Sequence, residues 1–207
     1  MKKLKLGLII AITSLIICSC SDKDSWADNY ITNLAELTTN SDGTVITMRL
    51  DDGQNLTPTN NIRFERPDTT YRCVCIYTQQ GTSATIADYA KTFSSQPITD
   101  TTDLTIKDDP CQIQSTWLSG QYFNARMLVQ GKDQPHIVAF IDRGITTYPN
   151  GSQTLTIQLH HDQNGDSEAF TRTIYLSCPL YNYAAKLQRG RDSVCLVSNG
   201  YRYISPY

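Results

Sequence analysis

The sequence lacks any run of the roughly 20 apolar residues that a membrane-crossing helix needs. It holds only three histidines in 207 residues, so imidazole-based chemistry has few places to sit. There is no Gly-x-Ser-x-Gly elbow, no His-Glu-x-x-His pair and no phosphate-cradling glycine loop. Those gaps remove the usual serine-hydrolase, zinc-peptidase and nucleotide-binding signatures. No segment sustains a helical hydrophobic period, which argues against a helical bundle, and no repeat or low-complexity tract occurs. Basic charge is also scarce, with 18 Lys and Arg against 20 Asp and Glu, so the chain offers no footprint for a nucleic-acid backbone. The cluster Arg49, Arg63, Arg66 and Arg72 is interleaved with Asp51, Asp52, Glu65 and Asp68, which cancel it.

What is present starts with Lys2, Lys3 and Lys5, followed by an apolar stretch over residues 6–17 broken only by Gly7, Thr13 and Ser14. A basic head, a short apolar core and a small residue before a cut point make a secretory leader. Cys20 has the small Ser19 directly before it and the aliphatic Ile17 three places before it, whereas Cys18 follows the bulky Ile17. The pattern resembles a bacterial lipobox, which implies a signal peptide over residues 1–19 and lipidation of the Cys20 thiol. The other reading is a plain signal peptide cut nearby. Each buried methylene contributes about 0.8 kcal/mol, so two or three acyl chains anchor stably where one does not. The next residues, Ser21-Asp22-Lys23-Asp24, resemble the tag that sends Bacteroidetes-type lipoproteins to the cell surface, on the outer face of the outer membrane. An ordinary solvated tether reads equally well. Losing Lys2, Lys3 and Lys5 with the leader takes the 18 basic residues to 15 against 20 acidic ones, a net charge of −5.

Five cysteines remain: Cys73, Cys75, Cys111, Cys178 and Cys195. An odd count with no repeated spacing is not a disulfide framework. Cys73 and Cys75 share one face of an expected strand and read as small buried hydrophobes. A Cys178–Cys195 bridge is the pairing left open for an oxidising compartment.

Residues 20–37 read as a lipidated tether. After the turn Asn40-Ser41-Asp42-Gly43, strands are expected at 45–50, 61–64 and 71–77, with residues 86–93 and 97–98 supplying further strand or a short helix. The stretch 71–77 is apolar on both faces apart from Arg72, as a mostly buried central strand would be. About five short strands within some 60 residues fit a small OB-type barrel over residues 38–107, and strand counting fits other small β-folds as well. A joint is expected at residues 107–110, where Asp109 precedes a proline and is pushed out of the helical region. Beyond it, six or seven strands, at 112–118, 123–130, 136–142, 154–161, 170–178, 193–197 and 201–204, are separated by turn residues such as Asn164-Gly165 and Asn199-Gly200. That spacing suggests a β-sandwich over residues 108–207. The expected fold class is all-β, a small OB-type barrel followed by a β-sandwich.

Several stretches are more specific. They are Asp109-Pro110 through Gln112-Ile113-Gln114-Ser115-Thr116-Trp117, then Tyr122-Phe123-Asn124, the lone His136, and Leu159-His160-His161-Asp162 on to Phe170-Thr171. Together with Asp42-Gly43 and Leu50-Asp51-Asp52-Gly53-Gln54, they resemble the NigD-like family of Bacteroidetes lipoproteins. The resemblance implies a lipoprotein signal, an OB-type domain and a β-sandwich, and it brings no established activity.

The candidate chemistry is thin. On a strand His160 and His161 point to opposite faces. His161, in step with Leu155, Ile157 and Leu159, is expected toward the core and His160 toward water. His136 could approach from a neighbouring strand, but that is a weak zinc signal. Asp162, Asn164, Asp166 and Glu168 alternate oxygen ligands, yet an EF-hand loop from Asp162 would need glycine and glutamate where Ser167 and Thr173 stand. A hairpin with Asn164-Gly165 at its tip, linking two antiparallel strands, explains the same residues. Exposed tyrosines such as Tyr201, Tyr203 and Tyr207 could stack on sugars or simply close a last strand. No pattern calls for a cofactor. Two function classes stay open. One is a non-catalytic surface lipoprotein that binds a glycan, peptide or envelope partner. The other is a hydrolase-like enzyme with a site near His136, His160 and Asp162, in which His136 or His160 would pair with Asp162 or Asp166.

Overall fold

The computed structural model describes residues 29–207 apart from Asp100 and Asp103. The expected leader, the lipidation residue Cys20 and the acidic stretch after it lie outside the described residues. Strands dominate, with no α-helix among the described residues.

The first five strands are β1 (Ile31–Thr39), β2 (Val45–Leu50), β3 (Asn55–Pro58), β4 (Thr70–Gln80) and β5 (Ser83–Lys91). They form a closed barrel in the order β1-β2-β3-β5-β4, shut by antiparallel pairing of β1 with β4. Alternation puts Ala35 and Leu37 of β1, Met48 and Leu50 of β2, and Cys73, Cys75 and Tyr77 of β4 inside. Burial pushes the Cys73 thiol up to about 11 and the Cys75 thiol up to about 12, so both stay protonated and inert, as small hydrophobes would. The β1–β2 turn is built by Asn40, whose Oδ1 accepts the N–H groups of Asp42 and Thr44 at 3.0 and 2.9 Å. Gly43 in that turn has φ +78°, and a Cβ there would lie 2.5 Å from the Phe64 carbonyl oxygen, so no side chain fits.

The expected tether over residues 20–37 therefore ends earlier, because 31–37 belong to β1. That strand is held by partners on both sides while burying few large side chains, which leaves little alternation to read. The four-residue β3 was likewise invisible, with Leu56 its one buried side chain. Residues 61–64 make a single bridge, Thr44 to Arg63, and insert Ile62 and Phe64 into the barrel core.

The remaining strands are β6 (Phe93–Ser94), β7 (Gln112–Ser119), β8 (Tyr122–Gly131), β9 (Ile137–Thr147), β10 (Gln153–Asp162), β11 (Phe170–Pro179), β12 (Ser193–Ser198) and β13 (Tyr201–Pro206). They make two sheets, β13-β12-β10-β9 and β6-β11-β8-β7, which enclose a core around Phe123, Met127, Phe140, Leu155, Ile157, Leu159 and Leu176. The all-β expectation of an OB-type barrel and a sandwich holds, but the joint moves. β6 already pairs with β11 two residues after β5 ends, so the sandwich begins at Phe93 rather than at Asp108. Residues 107–109 are not a free linker, although Lys107 and Asp108 face solvent. β12 accompanies β10 only as far as Gln158, and the vacated flank of β10 is taken by this segment, with Asp108 bridged to His161. β10 and β11 also lie in different sheets, so residues 163–169 cross between sheets and are not the expected hairpin.

The barrel rests on the outer face of sheet β6-β11-β8-β7 through a closed ring of polar groups. The Arg72 guanidinium donates to both Asp51 carboxylate oxygens, at 2.5 and 2.6 Å, and through Nε to Ser177 Oγ at 3.4 Å. Ser177 donates to Asn124 Oδ1 at 2.7 Å, Asn124 Nδ2 donates to Ser119 Oγ at 3.1 Å, and the Ser119 hydroxyl returns to Asp51. Each hydroxyl in the ring donates once and accepts once, so no buried donor is wasted. Tyr122 seals one side, its ring 4.0 Å from the guanidinium and its hydroxyl donating to Glu36 at 2.5 Å. At Gly120 a Cβ would stand 2.9 Å from the Asp51 carbonyl oxygen, so the approach of the two units requires glycine.

Truncating one member of a buried ion pair strands the other and costs about 3–5 kcal/mol, and Asp51's partial exposure puts this pair at the lower end. Arg72→Ala is expected to lower unfolding free energy by about 3 kcal/mol in urea titrations. Arg72→Met combined with Asp51→Leu should recover most of that loss. Wild-type stability in Arg72→Ala would show that the ring does not hold the two units together.

Candidate functional site

Two regions gather polar side chains, and the first contains the histidines. His161 Nδ1 lies 2.9 Å from the Asp109 carbonyl oxygen, which can only accept, so Nδ1 carries the proton and Nε2 is bare. His136 Nδ1 lies 2.9 Å from that Nε2 and is therefore the donor. In neutral His136 the remaining nitrogen, Nε2, is bare too, and it faces Asp166 Oδ2 at 3.4 Å. Asp166 is held by the backbone N–H groups of Lys132, Asp133, Gln134 and Ser167 and by Arg172 Nη2 at 3.0 Å. Gly131 makes the room: a Cβ there would fall 2.3 Å from Arg172 and 2.6 Å from Asp166.

The electrostatics follow from this enclosure. Burial pushes the Asp166 carboxyl up, but its four backbone donors outweigh it and hold the group well below the ordinary carboxylate range. Burial, then the neighbouring His161 and Arg172, push His136 below its usual 6.5, with Asp166 only partly compensating. The side chains of His136 and Asp166 are each only 2% exposed, and none of the clefts described below reaches them. A general base must come within hydrogen-bond reach of a substrate proton, and this pair is walled in.

The structure thus brings His136 together with His161 and with Asp166, and leaves His160 and Asp162 with other partners. His160, expected in water, is buried because residues 107–109 lie over it, and its Nδ1 accepts the Lys107 backbone N–H at 3.0 Å. Asp162 turns to the Lys107 ammonium at 2.8 Å while Asp166 turns to the 132–134 backbone, so the alternating oxygens of this segment do not converge. His161 is buried and hydrogen-bonded, in step with Leu155, Ile157 and Leu159, as its position in the strand predicts. The Cys178–Cys195 bridge is not made: both thiols are free and buried. Cys178 belongs to the sandwich core, whereas Cys195 sits between the core residues Val194 and Leu196 and so points from the opposite face of its sheet.

The second region is the junction. Where the barrel meets the sandwich, a cleft of about 400 Å³ opens beside the polar ring. Its sandwich wall carries Trp117 of β7 and Tyr175 of β11, on the same outer face as Ser119 and Ser177. Its barrel wall carries Leu34 and Val74, a registered pair next to the registered pair Glu36–Arg72. Asn33, Asp51 and Asp52 complete it. A second cleft, of about 410 Å³ and lined by Arg49, Gln121, Tyr122 and Arg189 among others, shares Asp51 and Asp52. In the sequence these residues carry no site pattern. Asp51-Asp52 reads as a turn, and the lone Arg72 in an otherwise apolar strand was the one signal that a buried partner existed.

Substitutions separate the histidine roles. His161→Leu leaves the His136 donor unpaired and takes one of two donors from the Asp109 carbonyl, which keeps Asn199 Nδ2 at 3.2 Å, a cost of about 1–3 kcal/mol. His160→Ala strands the Lys107 N–H at a similar cost, although it would be mild on an exposed face. Parallel thermal melts should show both variants destabilised, and a wild-type melt for His160→Ala would refute its burial.

The pH response has a definite sign. The fold depresses the His136 pKa below 6.5, so the unfolded chain takes up a proton first. Stability from this residue is full above that value, falls as pH drops through it, and levels off below the native pKa. Asp166 acts lower, contributing above its ordinary 3.8 and losing that contribution as pH falls further toward its native value. Urea midpoints are expected to drop between about pH 7 and pH 5.5 in wild type and to drop less in His136→Gln.

Comparison with known proteins agrees with this architecture. The NigD-like N-terminal OB domain matches residues 34–94 and the NigD-like C-terminal beta sandwich domain matches residues 94–203. No curated protein matches the chain. Among solved structures, a NigD-like immunity protein from Bacteroides caccae is 23% identical, with a TM-score of 0.65 over 84% of this chain and 91% of that one. A protein of unknown function from Bacteroides vulgatus is 18% identical, with a TM-score of 0.62 over 86% and 91% of the two chains. A candidate lipoprotein from Bacteroides fragilis is 13% identical, with a TM-score of 0.59 over 86% and 98%. At these identities the likeness is one of fold. With both of its domains matched in sequence and built as an OB barrel and a β-sandwich, the chain belongs to the NigD-like family.

Proposed function

We propose that the protein is a lipid-anchored, non-catalytic binding module, held in the outer membrane through Cys20 and displayed at the cell surface. The observation that carries the binding role is the cleft at the domain junction. Its two walls belong to different units, and the Arg72–Asp51 ring fixes their separation, so the site is pre-organised rather than assembled on contact. Small-molecule sites favour such domain interfaces and span about 300–1,000 Å³. The buried histidines, by contrast, serve the loops that they connect.

Anchoring through Cys20 is supported by the short leader, the small Ser19 before the cysteine and the aliphatic Ile17. No helix among the described residues is long and apolar enough to cross a membrane. The solved structure of a candidate lipoprotein with the same fold is consistent with an anchor. Display at the surface rests on Asp22-Lys23-Asp24.

Cys20→Ala is expected to abolish incorporation of radiolabelled palmitate and to move the protein out of the detergent phase. Undiminished labelling would overturn the anchor. External protease on intact cells should degrade the wild-type protein, and full protection would overturn surface display.

A further inference from the structure

We propose that the junction cleft binds a neutral oligosaccharide, whose sugar rings stack on Trp117 and on Tyr175. The inference rests on the binding-module reading and names the ligand class of that same cleft.

The walls decide what can be recognised. The barrel wall is a face of strands paired on both sides, β1 with β2 and β4, and β4 with β1 and β5; the sandwich wall is the outer face of β7, β8 and β11, of which β7 is the edge strand. The barrel wall offers no strand edge, whereas β7 leaves one beside Trp117, so a peptide adding a strand there is an outcome that the test separates. The lining of the cleft itself is made of side chains. The sandwich side supplies two half-buried aromatic rings, and the barrel side supplies the apolar pair Leu34 and Val74. A pyranose has apolar C–H faces that suit such surfaces and a rim of hydroxyls that must be hydrogen-bonded.

Groups for that rim are present and free. Neither the Trp117 indole N–H nor the Tyr175 hydroxyl has a hydrogen-bond partner among the described residues, and rings of this kind place an apolar body beside a polar tip. Asn33 uses Nδ2 on Tyr77, leaving its carbonyl oxygen as an acceptor. Asp52 spends Oδ1 on the Gln54 N–H, leaving Oδ2. Asp51 is not available, because Arg72 and Ser119 occupy its carboxylate. The unneutralised charge in the cleft is therefore that of Asp52. No Lys or Arg lines it, and Arg126, in register with Tyr175, is exposed outside the lining. Sulfated or uronic-acid sugars would meet Asp52 without a lining cation, whereas a neutral sugar meets matched donors and acceptors.

The test uses the full lipidated chain in a detergent without a sugar head group. Trp26→Phe removes the other of the two tryptophans, so that emission reports Trp117 alone. Neutral hexose and N-acetylhexosamine oligosaccharides, sulfated oligosaccharides and a peptide library are titrated in turn. Saturable quenching or a blue shift with one neutral class is expected. Loss of a charge-assisted hydrogen bond is worth about 1.5–3 kcal/mol, so Asp52→Ala should weaken binding about tenfold or more. Tyr175→Ala should weaken it as well, while Tyr175→Phe keeps the stacking and most of the fold. Arg126→Ala should leave neutral-sugar affinity unchanged. A Trp117 response only to sulfated sugars or to peptides would overturn the saccharide class and leave the binding module standing. Sugar binding indifferent to Asp52→Ala and Tyr175→Ala, with both variants folded by circular dichroism, would overturn the cleft. No response to any ligand would overturn both, and cleavage of a titrated oligosaccharide would overturn the non-catalytic reading.

Discussion

The architecture turns on one guanidinium. Arg72 stands in the middle of a barrel strand, on the outside of the barrel, where a long charged side chain would ordinarily reach into water. It is instead covered by the sandwich, with Asp51 from its own unit in front of it and Ser177 from the other unit beside it. A buried charge is tolerable only when paired and hydrogen-bonded. That requirement determines how the two units meet, because Asp51 must be satisfied by Ser119, and Ser119 and Ser177 must both be satisfied by Asn124. A ring with this directionality closes in one arrangement. Hydrophobic contact between barrel and sheet would be less selective, since apolar surfaces slide at small cost.

The ring also explains where the open space lies. The barrel covers the part of the sheet that carries Ser119, Tyr122, Asn124 and Ser177. Trp117, in register with Asn124, and Tyr175, the next outward residue along β11 from Ser177, are left half covered at the margin of that part, opposite the next barrel pair, Leu34 and Val74. The same two-residue period that fills each core therefore places an apolar pair and an aromatic pair on facing outer surfaces. The cleft is the immediate neighbour of the interface that fixes it.

The histidines show the opposite use of polar groups. His161 and His136 form a directed chain from the Asp109 carbonyl, and the backbone of 132–134 donates to Asp166, which together tie the 107–109 segment, the loop after Gly131 and the crossing segment after β10 into one unit. Each proton position is dictated by an acceptor that cannot donate. Such a chain resembles a catalytic relay in composition but lacks the opening to solvent that a relay needs. Its consequence is structural, and it makes the end of the sandwich sensitive to acid.

Much of the fold was legible in the sequence. Alternating apolar residues and turn residues such as Asn164-Gly165 and Asn199-Gly200 mark strands because side-chain period and backbone turn chemistry are local properties. Val45–Leu50 is recovered with the same bounds, and His161 is placed inward by its step with Leu155, Ile157 and Leu159. Strand number and spacing give the all-β class, and the resemblance to the NigD-like family narrows it to a barrel and a sandwich. What the sequence could not decide depends on partners distant in the chain. β1 is a strand because β2 and β4 flank it, and His160 is buried because residues 107–109 lie over it. Residues 163–169 cross between sheets because β10 and β11 find other neighbours, and the cleft exists because Arg72 meets Ser177 across 105 positions. Local pattern specifies which side of a strand is apolar; only tertiary packing specifies what that strand lies beside.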